Sequence, residues 1–145
     1  MAKRHGFTAI WMAATMLLVG QTARAQNGES FKARLSPVPI DVAMMSTVAG
    51  SGSLTALLAG NKLTLTGSFE GLRSPATDAH IHRAPKGIRG PAILDLAVTK
   101  AASGTISGSL ELTPAQVEDL KSGRFYVQIN SERAPDGNLW GWLLR

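Results

Sequence analysis

Lys62-Leu63-Thr64-Leu65-Thr66-Gly67-Ser68-Phe69 is the stretch that decides the fold class. Leu63, Leu65 and Phe69 fall on one side of an extended chain, and Thr64, Thr66 and Ser68 on the other. Successive side chains of a strand point to opposite faces, so this segment reads as a strand with one face in a core and one in water. The same period continues in both directions. Downstream, Ile106, Gly108, Leu110 and Leu112 alternate with Ser and Glu over 104–112, and Phe125, Val127 and Ile129 alternate with Tyr126, Gln128 and Asn130 over 124–131. Upstream, Phe31, Ala33 and Leu35 alternate with Lys32 and Arg34 over 30–36.

Further strands read at 54–59, 77–83, 92–99 and 138–144. Turn residues separate them, including Ala59-Gly60-Asn61 and Ala134-Pro135-Asp136-Gly137. Pro37, Pro39 and the residues to Thr47 read as an irregular connection. One helix is expected near 114–121, with Thr113 as its cap, Pro114 in its first turn and Gly123 as its stop. About eight short alternating strands predict an all-β domain, an antiparallel, Greek-key-like β-sandwich whose sheets each keep one wet face.

Residues 1–25 read differently. Lys3 and Arg4 are followed by an uncharged run from Phe7 to Gly20 and by Ala23-Arg24-Ala25, the order of a cleavable export signal. Cleavage after Ala25 leaves residues 26–145 as one domain and places it in a periplasm or outside the cell, with a bacterial source favoured. It also removes Lys3, Arg4 and Arg24, so 15 Lys+Arg against 10 Asp+Glu become 12 against 10. That balance, with its scattered cations, excludes a nucleic-acid partner. No later stretch approaches the roughly 20 apolar residues of a membrane span. The chain has no cysteine.

Candidate chemistry concentrates in Asp78-Ala79-His80-Ile81-His82 and the loop Arg83 to Pro91 that follows. On a strand, His80 and His82 share a face about 6.5–7 Å apart, close enough to converge on one ion. Imidazole suits copper or zinc, but a site usually takes three or four ligands. Asp78 lies on the same face and could complete the set or orient His80. The alternative is that both rings anchor the glycine-rich loop through its backbone carbonyls. Trp140 and Trp142 share the face opposite Leu139 and Leu143. If the leucines are core, the indoles lie outside beside Tyr126, either as an aromatic contact site for a protein or glycan or covered by a loop. Nucleophile-elbow, P-loop, dinucleotide and H-E-x-x-H patterns do not occur, so no catalytic residue is assigned.

The run from Ala79 to Pro91, with Leu112-Thr113-Pro114-Ala115-Gln116, Tyr126-Val127 and Pro135-Asp136-Gly137-Asn138-Leu139-Trp140-Gly141, resembles the CHRD domain, a family named from chordin and widespread in bacterial exported proteins. The resemblance spans about Phe31 to Leu144 and implies a β-sandwich. A more distant likeness to the copper-binding elements of Cu/Zn superoxide dismutases rests on the H-x-H, the glycine-rich loop and the late strand. Against the family pattern Y-V-N-V-H-T, Gln128 stands at the asparagine and Asn130 at the histidine. Against P-x-G-E-I-R-G, Asn138 stands at the glutamate and Trp140 at the arginine. The expectation is an exported, non-enzymatic binding or structural module that requires no cofactor. The rival readings are a copper or zinc protein using His80 and His82, and a dismutase-like enzyme.

Overall fold

The computed structural model describes residues 28–145; the export signal expected at residues 1–25 lies outside them. Eight strands are present among the described residues: β1 (Glu29–Pro37), β2 (Ser51–Ala59), β3 (Lys62–Glu70), β4 (Ala76–Arg83), β5 (Ala92–Val98), β6 (Gly104–Glu111), β7 (Phe125–Ser131) and β8 (Ala134–Trp142). A 3-10 turn occupies Ala43–Ser46 inside the connection expected to be irregular, and helix α1 spans Pro114–Lys121. The strands close into a barrel in the order β1-β2-β3-β6-β5-β4-β7-β8. Every neighbouring pair is antiparallel. The β4-β5-β6 meander is flanked by β3 beside β6 and by β7 beside β4, which makes two overlapping Greek keys.

The expected sandwich is thus corrected to a closed barrel. Two open sheets would leave edge strands with unpaired backbone groups. Here two short seams join the edges. At one, Ser36 pairs with Trp140 and Pro37 with Leu139; at the other, Ala97 pairs with Ser107 and Val98 with Ile106. Alternation reports which side of a strand meets the core, not whether two edges meet each other. Gly141 permits the first seam, because a Cβ there would run into the carbonyl oxygen of Arg34.

The strand of the opening stretch packs as its pattern requires. Leu63, Leu65 and Phe69 enter the barrel core with Phe31, Leu35, Ile81, Ile129 and Leu139, while Thr64, Thr66 and Ser68 are exposed. Each fully buried leucine of this kind contributes roughly 1.5–3 kcal/mol. Helix α1 begins with a capping box: Thr113 Oγ1 accepts from Gln116 N at 3.2 Å, and Gln116 Oε1 accepts from Thr113 N at 2.9 Å. Its Leu120 is buried in the barrel core with Leu112, Phe125 and Leu143.

Two expectations fail on β7 and β8. The turn before β8 is Glu132-Arg133, not 134–137. It is held from outside the hairpin, where Glu132 N donates to Pro75 O and Arg133 N to Ser74 Oγ. Nor do these strands keep a wet face. A second apolar cluster of Val38, Val48, Ala84, Tyr126, Ala134, Trp140 and Trp142, with Met44 against it, covers their outer side.

Candidate functional site

Strand register brings the candidate residues into two adjacent rows on the outer face of β4, β7 and β8. One row runs Asp95–His80–Gln128–Trp140 and the next His82–Tyr126–Trp142. The core takes the alternating partners Ala79, Ile81, Val127, Ile129 and Leu139. His80, His82, Tyr126, Trp140 and Trp142 therefore share one surface, although they come from three strands.

Aromatic rings form the middle of that surface. His82 stacks on Tyr126 with ring centres 4.8 Å apart and planes 21° from parallel. Trp142 lies over Tyr126 at 4.5 Å, and Trp140 meets Trp142 edge-on at 4.8 Å. Tyr126 is buried, and Trp140 and Trp142 retain 9% and 8% of their exposure. Of the two fates open to the indoles, burial under covering chain is the one observed. The leucine face is the core, as required, with Leu139 and Leu143 wholly buried.

The cover is the Ala84–Pro91 loop together with the Val38–Val48 segment. Gly90 N donates to Tyr126 Oη at 2.9 Å, and that hydroxyl lies 3.2 Å from Gly90 O. Trp142 Nε1 donates to Ala84 O at 3.0 Å. Arg89 donates to Asp136 O and sets its guanidinium 5.8 Å from the Trp140 ring centre. The loop folds back so tightly that a Cβ on Gly90 would strike the Arg83 carbonyl.

The two histidines have separate roles. His82 Nδ1 lies 2.8 Å from Gly90 O. A carbonyl can only accept, so Nδ1 carries the proton and Nε2 keeps its lone pair. Burial lowers the His82 pKa below 6.5, outweighing the Gly90 carbonyl that favours the charged ring. His82 is thus the neutral loop anchor that the alternative reading described, while His80 is not an anchor. Its ring sits between two carboxylates, Asp78 Oδ2 3.6 Å from Nδ1 and Asp95 Oδ1 3.4 Å from Nε2. Among the described residues, no group of three or more His, Cys, Asp or Glu side chains is placed to hold a metal ion.

Positions 130 and 138 complete the picture. Asn130 Oδ1 accepts from Gln128 Nε2 at 2.9 Å, and the wholly buried Asn138 donates to Ser131 Oγ at 2.8 Å. The family model of the CHRD domain matches residues 31–143. The chain belongs to the CHRD family. Searches of curated proteins and of solved structures each return no match. In this CHRD domain, the motif residues His82, Gly90 and Tyr126 act together to hold a loop against a strand pair.

Sequence reasoning missed Asp95, Arg89 and Arg34. Asp95 reaches His80 through β4–β5 register, and Arg89 reaches Trp140 across the loop; neither relation leaves a local pattern. Arg34 lines a surface groove of about 320 Å3 whose walls also include Ser36, Lys86, Gly87, Trp140 and Trp142.

Proposed function

We propose that this CHRD domain is an exported, non-catalytic binding module that holds an anionic glycan in the groove beside Trp140 and Trp142. The observation that carries the reading is the composition of that groove. Two indole edges and two cations, Arg34 and Lys86, line it, and no acidic side chain does. The exposed indole edges supply apolar contact to a sugar ring, and nearby guanidinium and ammonium groups attract carboxylate or sulfate substituents. The indoles are fixed by the stack on Tyr126 and by the Ala84 hydrogen bond, so little ordering is left for binding to impose. Export is supported by the order of charge, apolar run and small residues in 1–25. A non-catalytic role is supported by the missing catalytic patterns. No helix among the described residues is long and apolar enough to cross a membrane.

The test compares binding of residues 26–145 to a polyuronate and to a neutral glucan. Micromolar binding to the polyuronate is expected, weakening as salt rises. Arg34→Glu/Lys86→Glu should weaken it at least tenfold while the circular dichroism spectrum is unchanged. Equal binding to both polymers, or binding indifferent to the charge reversal, overturns the reading.

A further inference from the structure

Six large apolar side chains are exposed among the described residues, and four of them stand in the two segments that cover β7 and β8. Ile40, Val42 and Met45 are 44%, 86% and 59% exposed, and Ile88 is 56% exposed. Single apolar residues scattered over a surface need no explanation, whereas a cluster of them marks a contact. These four are clustered. Val38, two residues before Ile40, donates its N–H to Asn138 O, and Arg89, next to Ile88, donates to Asp136 O. Both tips therefore leave the barrel beside the same stretch of β8. Each segment also spends only part of its apolar content on the fold. Val38, Met44 and Val48 on one and Ala84 on the other pack against Tyr126 and the two indoles, and the four exposed side chains take no part in that cluster.

Local hydrogen bonds hold both tips. Asp41 Oδ1 accepts from Met44 N at 3.0 Å, and Thr47 N donates to Met44 O at 3.0 Å, which closes the 3-10 turn Ala43–Ser46. Ile88 N donates to Pro85 O at 3.1 Å across a turn in which Gly87 takes φ +84°. The Asp41 carboxylate is thus engaged within its own turn. The charges beside Ile88 are positive: Lys86 and Arg89 flank it, and no acidic residue lies between Arg83 and Pro91. The shape of the surface narrows the occupant further. A folded partner must match an apolar surface closely, as protein interfaces do, and these side chains project from convex loop tips. Acyl chains are fluid and rearrange around such tips, and anionic headgroups complement the two cations.

We propose that the tips at 40–45 and 85–89 insert together into the surface of an anionic lipid bilayer. Ile40, Val42, Met45 and Ile88 enter the boundary between headgroups and acyl chains, and Lys86 and Arg89 meet lipid phosphates. Attachment of this kind strengthens with the apolar area buried and with attraction to anionic headgroups, and it is reversible. It uses neither Trp140 nor Trp142, so it does not depend on the glycan reading.

The experiment sediments residues 26–145, which contain the whole barrel, with vesicles of phosphatidylcholine alone and of phosphatidylcholine and phosphatidylglycerol in equal parts. Binding to the mixed vesicles should be about tenfold stronger or more, since each cation near an anionic surface adds to it, and it should weaken as salt rises. Val42→Asp/Ile88→Asp should reduce binding at least tenfold with thermal unfolding unchanged, because both side chains are exposed. Val42→Trp places an indole at the tip, and brominated acyl chains should quench the fluorescence that it adds to wild type. Absence of binding to either vesicle overturns the proposal, as does equal binding by wild type and Val42→Asp/Ile88→Asp. So does self-association in solution that the double variant abolishes, which would make a second copy of the chain the occupant. Polyuronate binding by Val42→Asp/Ile88→Asp should remain that of wild type, so failure of either reading leaves the other standing.

Discussion

Trp142→Ala separates an indole that holds the fold from one that merely decorates a surface. Trp142 keeps 8% of its exposure, lies 4.5 Å from the Tyr126 ring centre and 4.8 Å from that of Trp140, and donates to Ala84 O. Truncating a buried aromatic residue to alanine costs about 3–5 kcal/mol, because transfer and cavity terms add. The Ala84 carbonyl would also lose its partner, but water can reach the opened loop, so the upper end of that range is the ceiling. Total stability of a domain is about 5–15 kcal/mol, so the loss is a large share of it. A domain of this length loses about 3–6 °C of Tm per kcal/mol, which gives a drop of roughly 9–30 °C. Urea unfolding followed by circular dichroism should show a lower midpoint with the slope unchanged. Trp142→Phe keeps a ring on Tyr126 and removes the N–H, so its cost should be about 1–2 kcal/mol. If Trp142→Ala costs less than about 1 kcal/mol, the second apolar cluster is not a core, and the burial argument for this face fails.

His82 makes stability pH-dependent with a definite sign. Its folded pKa lies below 6.5, so the unfolded chain binds its proton first as pH falls. The stabilisation is complete above pH 6.5 and is lost as pH drops below that value toward the folded pKa. Urea midpoints measured between pH 7.5 and pH 5 should fall more steeply for wild type than for His82→Gln; equal slopes would contradict the burial of this ring. Gly141→Ala tests the seam. Its methyl group meets the Arg34 carbonyl, so β1 and β8 must part. The expected cost is about 1–3 kcal/mol, accompanied by concentration-dependent association through the freed edges in analytical ultracentrifugation. A monomer of wild-type stability would show that the seam does not hold the barrel closed.

The all-β class, the number of strands and the helix were legible because each rests on a local pattern. Leu63, Leu65 and Phe69 show a period of two whatever lies across the barrel, and Thr113 caps α1 through Gln116, three residues away. Closure was not legible. It depends on Ser36 meeting Trp140 and Val98 meeting Ile106, pairings between strands whose own patterns are the same in a sandwich. The face of β4 that carries the histidines and the face of β8 that carries the tryptophans followed from alternation. Their meeting did not, since it requires both the β4–β7 and β7–β8 registers. The cover over Trp140 was hidden for another reason. Val38, Met44 and Val48 have no period and read as a connection, yet they supply much of the second cluster.

The departures from the family pattern gain a common physical sense from that cluster. A glutamate at position 138 would stand where Asn138 is wholly buried, with Ser131 as its hydrogen-bond partner. An arginine at 140 would stand where Trp140 packs against Trp142 and Tyr126. Burying either charge alone costs several kcal/mol. A neutral amide and an indole at these two positions remove both charges together, and the Val38–Val48 segment can then close over the strand pair. Asn130 fits the same change, because its amide oxygen holds Gln128 by a neutral hydrogen bond in a place where an imidazole would add a titratable group. Besides His82 on Tyr126 and Arg89 over Trp140, charged side chains stand at two margins of this face. Arg34 and Lys86 stand at the β1–β8 seam, and His80 with Asp78 and Asp95 at the β4–β5 edge. The buried aromatic cluster of Tyr126, Trp140 and Trp142 lies between them.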